Sequence, residues 1–342
     1  MTCDTPASKE VGGDVLWGKR CWDIKKIAIF IKKNKDDCMK DMERILITGK
    51  KSLLAKHFEA LFGDKYDLRF LTSHPTEEND FYWSPMEDEI DPVALDGVDH
   101  ILHLTGAILM PNSKSVKERD VLLTYRVSSI ALIGRMLMAR GQKIKSIVTA
   151  SSYYYYGTTY SPYIYTEHHK AGSDYYAQLN QAAEEESYIL EVEKLAERSV
   201  YPRFGNILCE DRGILPLISI GSPCGLAISY GLGRQIIPWV HITDACRTLD
   251  YIIEHPKMVG PYNCVAPGWI TYREIAENCA KIRNGKVLPV HVPSSIMKAK
   301  YGKYTDFILR SKRISMKRLL NSGFDFVFPD FISAVMDIYL DE

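Results

Sequence analysis

The sequence predicts an α/β protein: a doubly wound parallel sheet with a small C-terminal α/β lobe. Three observations carry this. From residue 42 onward, short apolar runs of strand length alternate with longer segments of helical periodicity. The first run, "ERILIT", turns at a glycine straight into an apolar-periodic helix, "KKSLLAKHF". At 342 residues the chain is long enough for a sheet domain and a smaller second lobe.

The elements follow in order. Residues 1–41 form a Lys/Asp-rich extension outside the core; either Met42 is the natural start or the extension is loosely attached. Strand one is Arg44–Thr48. A helix over 52–62 places Leu54, Phe58 and Leu61 on one face. Strand two is Tyr66–Thr72, and Val98–Ala107 holds strand three with its turn. A long helix spans 115–140, Ile144–Ser152 is strand four, a Glu-rich helix covers 175–197, and Ser199–Leu208 is strand five. The C-terminal "SGFDFVFPDFISAVMDIYL" reads as an aromatic strand and then an amphipathic helix that packs the lobe. The sheet domain therefore covers 42–210, and 211–342 is mainly the second lobe, interleaved with the sheet. Ligands of such sheets sit at the carboxyl ends of the strands, so the turns after strands one, three, four and five should line one cleft.

Composition excludes other classes. Forty-three Lys and Arg balance 43 Asp and Glu, so the net charge is zero and a general nucleic-acid binder is not expected. The eight cysteines include no CxxC pair, so no metal site is expected; reduced thiols of a cytoplasmic protein are. The early apolar run "IAIFI" is far shorter than the ~20 residues a membrane-crossing helix needs, and no membrane partner is expected.

The turns "ITGKKSLLA", "HLTGA", "TASSYYYYG", "YGLGRQIIPWVHITD", "YNCVAPGWITYRE" and "SGFDFVFPD" occur in this order. With them the chain resembles the extended short-chain dehydrogenase/reductase superfamily, and within it the uncharacterised NAD(P)-dependent epimerase family of the bacterial YfcH type. The resemblance spans Met42 to the C-terminus and rests mainly on "GRQIIPWVHITDA" and "NCVAPGWITYRE". It implies a Rossmann-like domain, a small substrate lobe, bound NADP(H) or NAD(H), and a small-molecule substrate. Many relatives pair through the helices after strands three and four, so a homodimer is an open expectation.

The superfamily's glycine pattern, GxxGxxG, falls here on Gly49, Ser52 and Ala55. Gly49 keeps the tight turn, and Ala55 is a mild change. Ser52 takes space where backbone and pyrophosphate should meet. Lys50 and Lys51 add charge, and the helix start at Ser52, Leu53 and Leu54 offers free N–H groups and a positive dipole end. After strand two, "FLTSHP" lacks the acid that holds the ribose of NAD, whereas Ser73 and His74 could reach a 2′-phosphate. The expectation is therefore NADP(H) over NAD(H). Leu104, Thr105 and Gly106 would run along the adenosine side. Arg126 faces the cofactor or makes an ordinary salt bridge. Thr149, Arg203, Gly205 and Asn206 lie in the turns nearest the nicotinamide.

The segment "TASSYYYYG" resembles the one that carries the superfamily's active-site serine, here Ser151 or Ser152. Tyr153 and Tyr154 are expected to pack, and Tyr155 and Tyr156 to face the substrate. The superfamily's Tyr-x-x-x-Lys acid/base pair is missing: no tyrosine has a lysine four residues on. The expected region, "DYYAQLNQAAEEESY", is acidic, and a carboxylate beside a tyrosine raises its pKa. A surviving reaction would move its proton through Ser151 or Ser152, a cleft tyrosine (Tyr155, Tyr156, Tyr175 or Tyr176), Glu184 or Glu185, or water. In the second lobe Arg234 could clamp an anionic substrate, with Trp239 beside it. His241 and Asp244 read as structural, Asp244 as the cap of the following helix. Three functions remain open: an NADP(H)-dependent oxidoreductase or epimerase with a non-standard proton donor, an inactive nucleotide-binding member, and a scaffold without nucleotide.

Overall fold

The structure, a computed structural model, describes residues 42–105, 116–157, 163–210, 212–301 and 311–340. The extension 1–41 and Gly106 lie outside them. In chain order come β1 (Arg44–Thr48), α1 (Leu53–Phe62), β2 (Asp67–Thr72), β3 (Asp80–Ser84), β4 (Glu89–Ile90) and β5 (His100–His103). Next are α2 (Val116–Arg140), β6 (Ser146–Thr149), β7 (Ser151–Ser152), β8 (Ile164–Tyr165), α3 (Tyr175–Val192) and β9 (Ser199–Phe204). β10 (Asn206–Leu208), α4 (Leu215–Ile218), β11 (Leu226–Tyr230), β12 (Trp239–His241), α5 (Ile242–Glu254) and β13 (Gly260–Cys264) follow. The chain closes with α6 (Tyr272–Asn284), β14 (Leu288–Val292), α7 (Ser294–Tyr301), β15 (Arg313–Ile314), α8 (Lys317–Asn321) and α9 (Phe331–Leu340).

The main sheet runs β13-β9-β6-β5-β1-β2-β3-β4, with β7 paired to β9 beyond the end of β6. Every pairing in it is parallel except β3 with β4. A parallel sheet is covered on both faces, which is why β1, β5 and β6 are buried at consecutive positions rather than at alternate ones. Phe58 of α1 and Cys246 and Leu249 of α5 cover one face. Ile130, Ile133 and Leu137 of α2 meet Leu46, Ile101 and Ile147 on the other. The strand order reverses between β1 and β5, so the carboxyl ends of these two strands flank a crevice. The second lobe has its own core, in which Trp239, Tyr272, Ile275 and Phe331 meet beside the parallel pairs β10–β12 and β11–β14.

Several expectations change. β3 and β13 are strands that the sequence reading left out, and β13 closes one edge of the sheet against β9. Strand five is broken at Gly205, where an added Cβ would come within 3.0 Å of the Pro238–Trp239 backbone; β10 therefore leaves the sheet to pair with β12. The Glu-rich helix stops at Val192 rather than 197, and Lys194 takes a left-handed conformation just beyond. Leu61 is half-exposed; Leu53, Leu54, Ala55 and Phe58 form the buried face of α1. The aromatic segment before α9 is no strand. The backbone N–H groups of Val327 and Phe328 donate to the buried Asp244 carboxylate instead of to a neighbouring strand. Asp244 is thus not the helix cap, because α5 begins earlier and His241 Nδ1 caps it through Thr243 N–H. Finally, residues 120–140 of α2 are long and apolar enough to cross a bilayer, although none was expected; Ile130, Ile133 and Leu137 pack on the sheet, while Val121 and Met138 are exposed.

Candidate functional site

The crevice between β1 and β5 is built from Gly49, the first turn of α1, and the end of β5. Gly49 has φ +77, and a Cβ there would lie 3.1 Å from both the backbone nitrogen and Oγ1 of Thr105. The position therefore needs glycine for conformation and for space. Thr48 ties the two strand ends together, since its Oγ1 accepts from the N–H groups of Leu104 (3.1 Å) and Thr105 (3.2 Å).

Ser52 does not project into this space. Its N–H donates to the Gly49 carbonyl, and its hydroxyl folds back to accept from Ala55 N–H at 3.1 Å as the N-cap of α1. The N–H groups of Leu53 and Leu54, in the first helical turn, have no carbonyl four residues back to bond. They supply the anion-binding end of the helix. Thr105 Oγ1 is buried and has no hydrogen-bond partner among the described residues.

Lys51 and Ser73 are exposed, as is His74, whose Nδ1 lies 2.9 Å from Ser73 Oγ. Lys50 is different. Its Nζ sits 2.6 Å from Asp80 Oδ1 and 2.7 Å from Glu77 Oε2. Burial alone would lower the Lys50 pKa; the bonds to Asp80 and Glu77 outweigh it and raise it. Sequence reasoning missed Asp80 and Glu77 because it assigned no element between strands two and three, whereas β3 sets Asp80 beside Phe70 of β2.

The turn after β6 forms the second half of the site. Arg126 is buried and donates through Nη2 to the Ala150 carbonyl, so it braces this turn from α2. Thr149 Oγ1 meets Ser187 Oγ at 2.6 Å, which fastens β6 to α3. Ser151 Oγ donates to Glu184 Oε1 at 2.6 Å, with Asn180 Oδ1 at 3.3 Å. Ser152 Oγ accepts from Tyr154 N–H and caps the short helical turn of 153–156. Glu184 also takes Arg203 Nε (2.9 Å) and Nη2 (2.6 Å). Arg203 Nη1 donates to Tyr156 Oη at 3.0 Å, and Tyr156 in turn donates to Asn263 Oδ1 at 2.7 Å.

The tyrosines divide by burial. Tyr153, Tyr154 and Tyr156 are buried, and Tyr155 is half-buried with the Arg203 guanidinium 3.4 Å from its ring centre. Tyr155 and Glu184 also border a 410 Å³ cavity with Gln181, Glu185, Tyr188 and Tyr201; its lining includes no residue of the Gly49 turn. Burial raises all four phenol pKa values, that of Tyr156 to about 12 despite Arg203. None of the four is shifted towards a proton-transferring pKa near neutrality. The hydrogen of Ser151 is committed to Glu184, so Ser151 presents lone pairs to a neighbour rather than a proton.

In the turn after β9, Asn206 Nδ2 donates to the Pro238 carbonyl and to Tyr153 Oη, while its buried Oδ1 has no hydrogen-bond partner among the described residues. Arg234 is exposed. Trp239, expected at the substrate, is buried in the lobe core edge-to-face with Phe331. No group of three or more His, Cys, Asp or Glu among the described residues could hold a metal ion.

No family model matches the chain. It is similar to an epimerase family protein of Mycobacterium bovis, 27% identical over 289 residues, which covers 82% of this chain and 93% of the relative. Among solved structures it is similar to human epimerase family protein SDR39U1 (isoform 2) with NADPH, with a TM-score of 0.75 and 21% identity over 86% of this chain and 98% of that one. A Thermus thermophilus UDP-glucose 4-epimerase in complex with NAD is similar with a TM-score of 0.67 and 18% identity, covering 86% of this chain and 98% of that one.

Proposed function

We propose that this chain, as an extended short-chain dehydrogenase/reductase of the epimerase type, binds a nicotinamide dinucleotide against the Gly49 turn and acts on a carbonyl or sugar-like small molecule. One observation carries the reading. At the reversal of strand order stand a glycine at φ +77, where a side chain would be strained and crowded, the first-turn N–H groups of Leu53 and Leu54, and Thr105 Oγ1, which has no hydrogen-bond partner among the described residues. These are the donor types a pyrophosphate and ribose take up. Asn206 Oδ1 offers an acceptor in the turn after β9.

When bound, the nicotinamide would carry the hydride. The chain's own part is orientation and the proton. Tyr155, which is half-buried and borders the cavity, and Ser151, which is buried and bonded to Glu184, are the candidates for handling that proton. NADP(H) is preferred in this reading, because Ser73 and His74 stand exposed just after β2 and Lys51 stands exposed in the turn after β1. A cytoplasmic setting fits the five cysteines among the described residues, all free thiols. A homodimer through α2 and α3 belongs to the same reading, supported by the exposed Met138, Tyr188, Ile189 and Val192.

A second reading, nucleotide binding without turnover, is favoured by the committed hydrogen of Ser151 and the raised phenol pKa values. Calorimetric titration with NADPH and NADH, with Gly49→Trp as a blocked control, tests the shared premise. Micromolar binding that the control loses supports it, and no heat with either nucleotide from folded protein refutes it. A carbonyl-substrate screen then separates the two readings: turnover that Ser151→Ala abolishes supports the enzyme, and its absence the binder.

A further inference from the structure

Lys50 occupies the second position of the glycine turn, yet its charge is spent within the protein. Its two carboxylate partners differ. The Asp80 side chain is fully buried, and its Oδ2 accepts from Thr76 N–H (2.9 Å), Glu77 N–H (3.1 Å) and Thr76 Oγ1 (3.3 Å). Asp80 thus folds the loop after β2 and holds Lys50 against it; a buried carboxylate so bonded does not exchange its partner readily. The Glu77 side chain is 60% exposed, and its Oε2 meets only the outer side of the same ammonium. Such a contact is worth little in water and is released easily. Lys50 Nζ lies 5.2 Å from the Phe70 ring centre, two residues before the end of β2. That strand end is where the adenosine ribose rests in this fold class. Glu59 on α1 adds its charge to the same field.

We propose that Glu77 is a built-in competitor for the adenosine 2′-phosphate. It masks the Lys50 ammonium in the free protein, and NADP(H) must displace it, whereas NAD(H) has no phosphate there and leaves it in place. Glu77 then sets the discrimination between the two nucleotides, and Asp80 keeps Lys50 positioned through the exchange. The proposal rests on the nucleotide reading above and concerns only which nucleotide is favoured.

The test is calorimetric titration of the full chain with NADPH and with NADH, for the native protein, Glu77→Gln and Glu77→Lys. Both changes are at an exposed side chain, so folding is retained. Removing one negative charge next to the phosphate is expected to tighten NADPH binding about fivefold, and reversing it more, with NADH changed less than about twofold. NADPH affinity unchanged in both variants, or NADH moving in parallel, overturns the role of Glu77 while leaving nucleotide binding intact. Failure of all three proteins to bind either nucleotide overturns the nucleotide reading, and this inference with it.

Discussion

Glu184 and Arg203 are joined by two hydrogen bonds, Nε to Oε1 at 2.9 Å and Nη2 to Oε2 at 2.6 Å, and both side chains are almost sealed from solvent. The pair links the middle of α3 to β9. Ser151 and Tyr156 hang from it on either side. It holds the turn after β6 in shape.

Breaking that pair should be expensive. Arg203→Met leaves a buried carboxylate without its counter-charge, and a loss of about 3–5 kcal/mol is expected. Urea denaturation measures it. The double variant Arg203→Met/Glu184→Leu should recover most of the loss, since it removes the stranded charge as well.

Acid should weaken the fold before the carboxylates titrate. Burial holds His103 down at about 3 and His241 at about 4, and His100 is lowered too. In the folded protein these rings stay neutral while the unfolded chain takes up protons near pH 6.5. The unfolded state then binds more protons, so stability is fully present above pH 6.5 and falls as the pH drops towards the folded values. Each ring contributes a slope of up to about 1.4 kcal/mol per pH unit. Urea midpoints between pH 7 and 4.5 should show it, and His103→Gln should remove one ring's share.

Asp244 should govern the segment ahead of α9. Its carboxylate takes Val327 and Phe328 N–H at 2.9 Å each and Arg247 at 3.0 Å. Asp244→Ala leaves these donors unmet and is expected to destabilise by about 2–4 kcal/mol. Hydrogen exchange should show lost protection at the amides of residues 327 and 328. Protection unchanged from the native protein would refute the anchoring role.

Ser52 offers a gain rather than a loss. Ser52→Gly removes the cap hydroxyl at a cost of a few tenths of a kcal/mol, whereas Ser52→Ala should cost about 1 kcal/mol. Glycine also frees the Ala55 N–H, which the Ser52 hydroxyl otherwise occupies, for the nucleotide. NADPH titration should therefore show tighter binding for Ser52→Gly than for the native protein. Weaker binding would mean that the hydroxyl itself serves the nucleotide.

The parts that were legible in the sequence are those set by local pattern. β1, the turn at Gly49 and the extent of α2 follow from apolar periodicity and one glycine. What was not legible depends on contacts far apart in the chain. β13 is a strand because β9 offers it an edge, and "GPYNC" has no alternation to announce it. Lys50 looked like a free cation because nothing in "TGKKS" reveals an acid 30 residues on. Trp239 sits in a segment of mixed chemistry, and only the packing of α9 shows that its ring faces the lobe core. Ser52 was read as an obstruction because a side chain's direction is not written in its identity; here the helix start claims it.

The position of β13 has a consequence for how the chain is made. β9 receives its outer neighbour only when residues 260–264 have left the ribosome, after β10, β11, β12 and α5. Until then the growing sheet carries an open edge, of the kind that recruits strands from other chains. During synthesis the second lobe's first half must be accommodated before the first is sealed. A gene fragment ending near residue 210 would leave that edge open permanently, so the unit that matures on its own runs past Cys264.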